Sequence, residues 1–470
     1  MLNSANKISP NPISEKEMTR TSTPRGLKIC LLGYRSNPFS GGQGIYIRYL
    51  SRALKDAGHT VDVISGQPYP LLDDGIGLIK LPSLNLFEEE SHIKALKWKH
   101  LGSFTDFFEW FSMATGGFPE PYTFGRRLEK YFKKHKPDYD IVHDNQSLCY
   151  GTLALQRSDV TLVTTIHHPI TSDLSIALAN EPNWQMRLLI KRWHSFLRMQ
   201  KNVVSRLKHI VTVSEVSRRD IADAFKIPAA NLKVVHNGID TETFKPNPEI
   251  TRVPYRIMAT ASADQPLKGL QYLLRAIAEL VSTYPEIHLE VLGKLKPDGD
   301  TEKLVTQLNL QKHLTFTSGV ETQEVVDMYA RASLVVVPSV YEGFGLPAGE
   351  AMSCGVPVIS TNGGALPEVV GDCGIIVPVR DPKAIAQAIE ELLNNPDKRS
   401  ALSKRGRKRI LEHFSWRVAA QEMADLYYEV LEKNSPCRWK PSILNILKCY
   451  REIAFLILVV AKVATLSLRT

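Results

Sequence analysis

Short apolar runs alternate with helix-length amphipathic stretches twice over, on either side of a proline cluster, and this pattern fixes the kind of fold open to the chain. The first series runs through Leu27–Gly33, Val61–Ile64, Ile76–Leu81, Ile141–His143, Thr161–Ile166 and Ile210–Val213. Helices fall between these runs, the clearest over Gln43–Ala57 and Trp184–Leu207. Pro246, Pro248 and Pro254 then interrupt the rhythm. A second series follows at Tyr255–Ala259, His288–Leu292, Leu314–Thr317, Leu334–Pro338, Val356–Ser360 and Gly374–Val377. Strands of this length separated by helices form parallel sheets covered on both faces. Two series in 470 residues mean two domains. Open parallel sheets bind ligands at the carboxyl ends of their strands, so the expected site is a cleft between two Rossmann-like domains.

The expected divisions are a mobile leader over 1–25, a first domain over 26–245, a linker over 246–254 and a second domain over 255–414. A final helix over 415–432 crosses back toward the first domain, and a basic amphipathic tail fills 433–470. The insertion Phe87–Tyr131 is rich in aromatic residues without a clean period and reads as a packed insertion, or as the lining of an apolar acceptor path.

The formal charge of +9 is concentrated in the tail, where six basic residues stand against one acidic residue. Nucleic-acid binding needs its cations along a groove of the folded body with stacking aromatics beside them, and that pattern is absent from the sequence. Basic residues mixed with apolar ones at helical spacing point instead to an anionic membrane surface met by residues 437–470. Ile453–Ala461 is too short to span a bilayer. The six cysteines have neither CxxC nor zinc spacing, and the leader lacks an apolar signal core. A cytoplasmic protein, peripheral on the inner face of the membrane, is expected.

The chemistry concentrates in Tyr341-Glu-Gly-Phe-Gly-Leu-Pro-Ala-Gly-Glu350, directly after an apolar strand. Gly343 and Gly345 let backbone N–H groups approach an anion, and Pro347 suits the first turn of a helix. A strand, a glycine turn and a helix N-terminus together make a phosphate site. Glu350 also satisfies the helix dipole, whereas Glu342 stands among apolar and glycine neighbours with no such structural reason.

The two carboxylates of EGFGLPAGE resemble the signature of retaining glycosyltransferases of family 4, which have the GT-B fold: α/β, with two Rossmann-like parallel-sheet domains facing across a cleft. Gly41-Gly42, Thr165-Ile-His167, His236-Asn-Gly-Ile-Asp240 with Phe244, and Pro266-Leu-Lys268-Gly269 match further family segments in the same order. The resemblance implies a hexose-type sugar moved from a UDP- or GDP-sugar to a lipid-linked or polysaccharide-precursor acceptor, without metal or other cofactor. It would place Lys268 on the donor diphosphate, Glu342 on the sugar hydroxyls and Glu350 on the ribose. Backbone at Phe344, Gly345 and Leu346 would line sugar and phosphates, and Val320 would meet the base. His167 would lie by the sugar and Gly42 by the reacting centre. The catalytic set is then Glu342, His167 and Lys268.

One position departs from the family. An Arg usually stands six residues before the Lys, and here that residue is Ser262. Either Lys294 supplies the missing cation, or Ser262 and backbone groups suffice. Asp138/Asp140 and Asp298/Asp300 have metal-binding DxD spacing without its strand-end context, and they read as turns. His167 and His168, adjacent at a strand end, should diverge, with His168 turned to packing. The glycines after Gly33 lack GxGxxG spacing, which argues against a dehydrogenase. Two alternatives remain. A sugar-phosphate synthase or phosphorylase would need a phosphate pocket, for which Arg126, Arg127 and Lys130 are candidates. A non-catalytic sugar-nucleotide-binding partner subunit would fit the loss at Ser262.

Overall fold

The computed structural model describes residues 25–39, 42–86, 100, 102–261 and 263–434. The expected leader up to residue 24 and the expected tail after 434 lie outside the described residues. Seven strands form the first sheet: β1 (Lys28–Gly33), β2 (Thr60–Ser65), β3 (Gly77–Lys80), β4 (Ile141–Asn145), β5 (Leu162–Ile166), β6 (Ile210–Thr212) and β7 (Leu232–Val234). Six form the second: β8 (Arg256–Thr260), β9 (His288–Leu292), β10 (Leu314–Thr317), β11 (Leu334–Val337), β12 (Val358–Thr361) and β13 (Ile375–Val377). The orders are β3-β2-β1-β4-β5-β6-β7 and β10-β9-β8-β11-β12-β13. All pairings are parallel. In each sheet the order reverses beside the first strand of its series, which opens a crevice at the carboxyl ends there.

Alternation along the strands feeds a core on each face. In the second sheet Ile257 and Ala259 pack with Leu273, Ile277 and Ile389, while Met258, Val335 and Val337 pack on the opposite side with Ala348 and Met352. In the first sheet Ile29 and Leu31 face Leu50 and Leu54 of the helix Gln43–Asp56, while Cys30 and Leu32 face Phe124 and Leu128 of the helix Glu120–His135.

The final helix, Trp416–Asn434, leaves the second domain and completes the core of the first. Trp416, Ala420, Met423, Tyr427 and Val430 recur every three or four residues and are buried against Ile47, Leu50 and Leu54. The Tyr427 hydroxyl meets the buried His143 Nδ1 at 2.5 Å, and His143 Nε2 meets Thr165 Oγ1 at 2.7 Å. The two chain crossings run side by side, with Ile239 N–H donating to Phe414 O at 2.6 Å.

One sequence expectation is corrected and two features are added. The stretch Trp184–Leu207 is not one helix: Trp184–Trp193 and Leu197–Val204 are separated by a 3₁₀ turn at His194–Phe196. The tighter turn brings Trp193 and Phe196 onto one side, where both rings meet Phe118 at 5.3 and 5.2 Å. β7 adds a strand that the sequence pattern does not reveal, because three residues carry no measurable period. Within the aromatic insertion, two regular helices appear, Phe104–Ala114 and Glu120–His135.

Candidate active site

Neighbouring strands end in neighbouring loops, and β8 lies beside β11. The loop after β8 closes in a 3₁₀ turn, Pro266–Lys268, followed by Gly269 at φ 66°. A Cβ at Gly269 would lie 2.0 Å from Pro338 O, so only glycine lets the two loops touch. Val340 N–H donates to Leu267 O at 2.8 Å and stitches them together. Lys268 Nζ therefore reaches Glu342 Oε1 at 2.8 Å, and Ser339 Oγ donates to the same oxygen at 2.8 Å. Gly345, at φ 104°, turns the chain into the helix Leu346–Ser353. Phe344 sends its side chain into the core, leaving its backbone at the turn.

Glu350 lies in the first turns of that helix, half-buried, and accepts from Tyr329 Oη at 3.2 Å. Burial pushes its carboxyl up to about 7, and the Tyr329 bond opposes the rise. The second carboxylate is thus poised between charge states, unlike an exposed acid that merely complements a helix dipole.

Across the cleft His167 follows β5. Its backbone N–H donates to Gln146 Oε1 at 2.7 Å, and Gln146 Nε2 donates to His168 O at 2.9 Å. Asn145 directs its NH₂ to Gln43 O at 3.2 Å, so its carbonyl oxygen faces His167 Nε2 at 2.7 Å. Nε2 accordingly carries the ring proton and Nδ1 is left as an acceptor. Burial, with His168 and His143 adding to it, lowers the His167 pKa to about 3, so the ring is neutral at ordinary pH. The edge of the Tyr46 ring meets it at 4.6 Å.

A cavity of about 250 Å³ brings Gly42 and His167 together with Leu346 and Glu350. Gly42 precedes the helix Gln43–Asp56 at φ 75° and has open space where a Cβ would stand. Lys268 and Glu342 are not on the wall of this cavity. The turn is nevertheless close to the first domain, since a Cβ on Gly343 would come within 3.8 Å of His167 O. Lys294 is exposed beyond β9, and Val320 is partly buried beyond β10. Ser262 falls outside the described residues.

His168 is exposed on the cavity wall, so the expectation that it turns to packing is corrected. Arg126, Arg127 and Lys130, the candidates for a phosphate pocket in the synthase or phosphorylase alternative, lie on the helix Glu120–His135, with Arg126 and Lys130 exposed. Arg127 is held by Glu109 at 2.5 Å and Asp106 at 2.6 Å, while Arg126 donates to Thr105 and covers the Phe104 ring at 5.1 Å. Asp138 and Asp140 tie Lys28 at the start of β1. Among the described residues no group of three or more His, Cys, Asp and Glu could hold a metal ion. Sequence reasoning missed Asn145, Gln146, Tyr329 and Ser339, which act through partners that the sequence pattern does not pair with them.

Residues 40–243 match the family described as Glycosyltransferase Family 4, and residues 242–409 match Glycosyl transferases group 1. The chain is 39% identical over 415 residues to an MMP alpha-(1->4)-mannosyltransferase of Mycolicibacterium hassiacum, covering 87% of this chain and 100% of the relative. It is 28% identical over 317 residues to a D-inositol 3-phosphate glycosyltransferase of Thermobispora bispora, covering 63% and 72%. Sucrose-phosphate synthase of Thermosynechococcus elongatus matches in structure with a TM-score of 0.64 at 24% identity, over 86% of this chain and 100% of that one; this likeness is one of fold.

The raised Glu350 carboxyl links stability to pH. The folded state binds this proton more tightly than the unfolded chain, so its ionisation destabilises the fold as pH rises from about 4.5 to about 7. Glu350→Gln should therefore gain stability over the native protein, on the order of 3 kcal/mol at pH 8 and far less at pH 4.5. Urea unfolding of both proteins at the two pH values measures this, and an offset independent of pH would contradict the assignment.

Proposed function

Because the chain belongs to glycosyltransferase family 4, we propose that it moves mannose, a hexose, from a nucleotide-sugar donor to a glycan acceptor with retention of anomeric configuration. The observation that carries this reading is the Lys268–Glu342 pair on a turn adjoining the cavity that holds the half-buried Glu350 and the neutral His167. Mannose rests on the name of the 39%-identical relative.

The roles follow from the chemistry of each group. Glu350 accepts hydrogen bonds from the ribose hydroxyls. The N-terminus of Leu346–Ser353 and Lys268 face the diphosphate, which gains negative charge as the sugar–phosphate bond breaks. Glu342 accepts from sugar hydroxyls, and His167 Nδ1 offers a further acceptor. The acceptor oxygen bonds to the anomeric carbon on the face the phosphate leaves, and its proton passes to the departing phosphate oxygen. Lys268 and the helix supply the positive charge, so no metal is required. Lys294 supplies the charge that the family Arg provides elsewhere.

The alpha-(1->4) linkage in the relative's name favours a sugar hydroxyl as acceptor, as in a polysaccharide precursor. A lipid-linked acceptor draws support from Phe104, Phe107 and Phe111 on one helix and Trp184, Leu188 and Leu189 on another, all exposed. Among the described residues no helix is long and apolar enough to cross a membrane. The proposed peripheral attachment at a cytoplasmic membrane face rests on the tail sequence. Removing residues 435–470 should abolish sedimentation with anionic vesicles, and unchanged sedimentation would refute the attachment.

Turnover is tested by nucleotide release from GDP-mannose, UDP-mannose and UDP-glucose with manno-oligosaccharide acceptors in EDTA. One mannosyl donor should turn over. Lys268→Ala should lose about 10²-fold in kcat/KM, the scale for removing one cationic stabiliser of a leaving anion, and Lys294→Ala at least about tenfold. Activity restored only by a divalent cation would refute metal independence. Lys294→Ala within a few-fold of the native enzyme would end that residue's role.

A further inference from the structure

The turn that carries Glu342 is bound on both sides by the first domain. Gly343 O accepts from Ser214 Oγ at 2.9 Å and from Ser217 Oγ at 3.1 Å, and Tyr341 Oη donates to Asp220 Oδ2 at 2.5 Å. A third tie comes from Glu368, on the short helix Leu366–Val370 of the second domain. Its two carboxylate oxygens accept from the backbone N–H groups of Glu215 and Val216 at 2.8 and 2.9 Å. These are the first amides of the helix Glu215–Phe225, whose next amide, Ser217, donates to Ser214 Oγ. A carboxylate from one domain thus completes a helix terminus of the other, where the helix dipole favours negative charge. Burial works to raise the Glu368 carboxyl, but His236 and the two amides hold it below its ordinary value.

Glu368 is also linked to Glu342 through the backbone that leads into its helix. Ala365 N–H donates to Glu342 O at 2.8 Å. At Gly364, with φ 62°, a Cβ would lie 2.1 Å from that same oxygen, so the backbone that leads into the Glu368 helix rests on the backbone of Glu342. We infer that Glu368 is a positioning residue, a latch from the second domain to Glu215 and Val216 that fixes the Glu342 turn against the acceptor-side domain. Its kinetic consequence rests on the transferase reading above, because reacting groups carried by two domains must be held within a few ångström of one another for transfer. Its structural consequence does not rest on that reading.

The test therefore has two arms, both on the full-length protein with Glu368→Ala and Glu368→Gln. Amide hydrogen exchange without ligand decides the latch. Exchange at Glu215 and Val216 should quicken at least tenfold in Glu368→Ala and less in Glu368→Gln, which keeps one acceptor oxygen. Exchange within twofold of the native rate in both variants would overturn the latch. Steady-state kinetics decides positioning. kcat should fall at least tenfold in Glu368→Ala while donor KM changes less than threefold, with Glu368→Gln intermediate. An unchanged kcat, or a loss wholly in donor KM, would overturn it. If the native protein turns over no donor, the transferase reading fails, and the exchange arm still decides the latch. If Glu368→Ala does not fold, the Glu368→Gln arm decides both.

Discussion

Glu342 and Lys268 neutralise each other at 2.8 Å where two adjacent strands end, and most of the surrounding architecture serves to bring them together. Both side chains are partly withdrawn from water. In the proposed function the pair serves for exchange of partners: a donor diphosphate would offer Lys268 a second anion, and sugar hydroxyls would offer Glu342 new donors. The loops that hold the pair touch because Gly269 carries no side chain, and the parallel order β8-β11 places their origins side by side.

The rest of the fold fixes how the two halves of the cleft face one another. Trp416–Asn434 begins in the second domain and buries its apolar stripe in the first, so the first core is complete only with chain that returns from the second. The two crossings run side by side, Ile239 against Phe414 and Ser415. The contacts around Ser214–Asp220 join the domains again, at the Glu342 turn itself. The interdomain contacts thus meet where the proposed chemistry takes place.

Much of this was legible in the sequence, for local reasons. Buried strands announce themselves as apolar runs, so both sheets and the turn at Glu342 could be placed. Short or interrupted elements could not: β7 has three residues, and the break at His194–Phe196 depends on Phe118, far away in the chain. Side-chain partnerships were the least legible. Lys268 and Glu342 are 74 residues apart, and nothing near Arg127 in sequence reveals that Glu109 and Asp106 hold it. The resemblance to family 4 named the site residues but not their local support. Tyr329 beneath Glu350, and Asn145 fixing the tautomer of His167, emerge only from three-dimensional contacts.

On the proposed reading this cleft transfers a sugar from a nucleotide with its anomeric configuration kept. Proton NMR of the glycoside formed from an α-linked mannosyl nucleotide and a glycan acceptor, recorded beside Glu342→Gln, tests it most directly. An α-configured product is expected from the native enzyme, and little or none from the variant. A β-configured product, or equal product from both proteins, would contradict the claim.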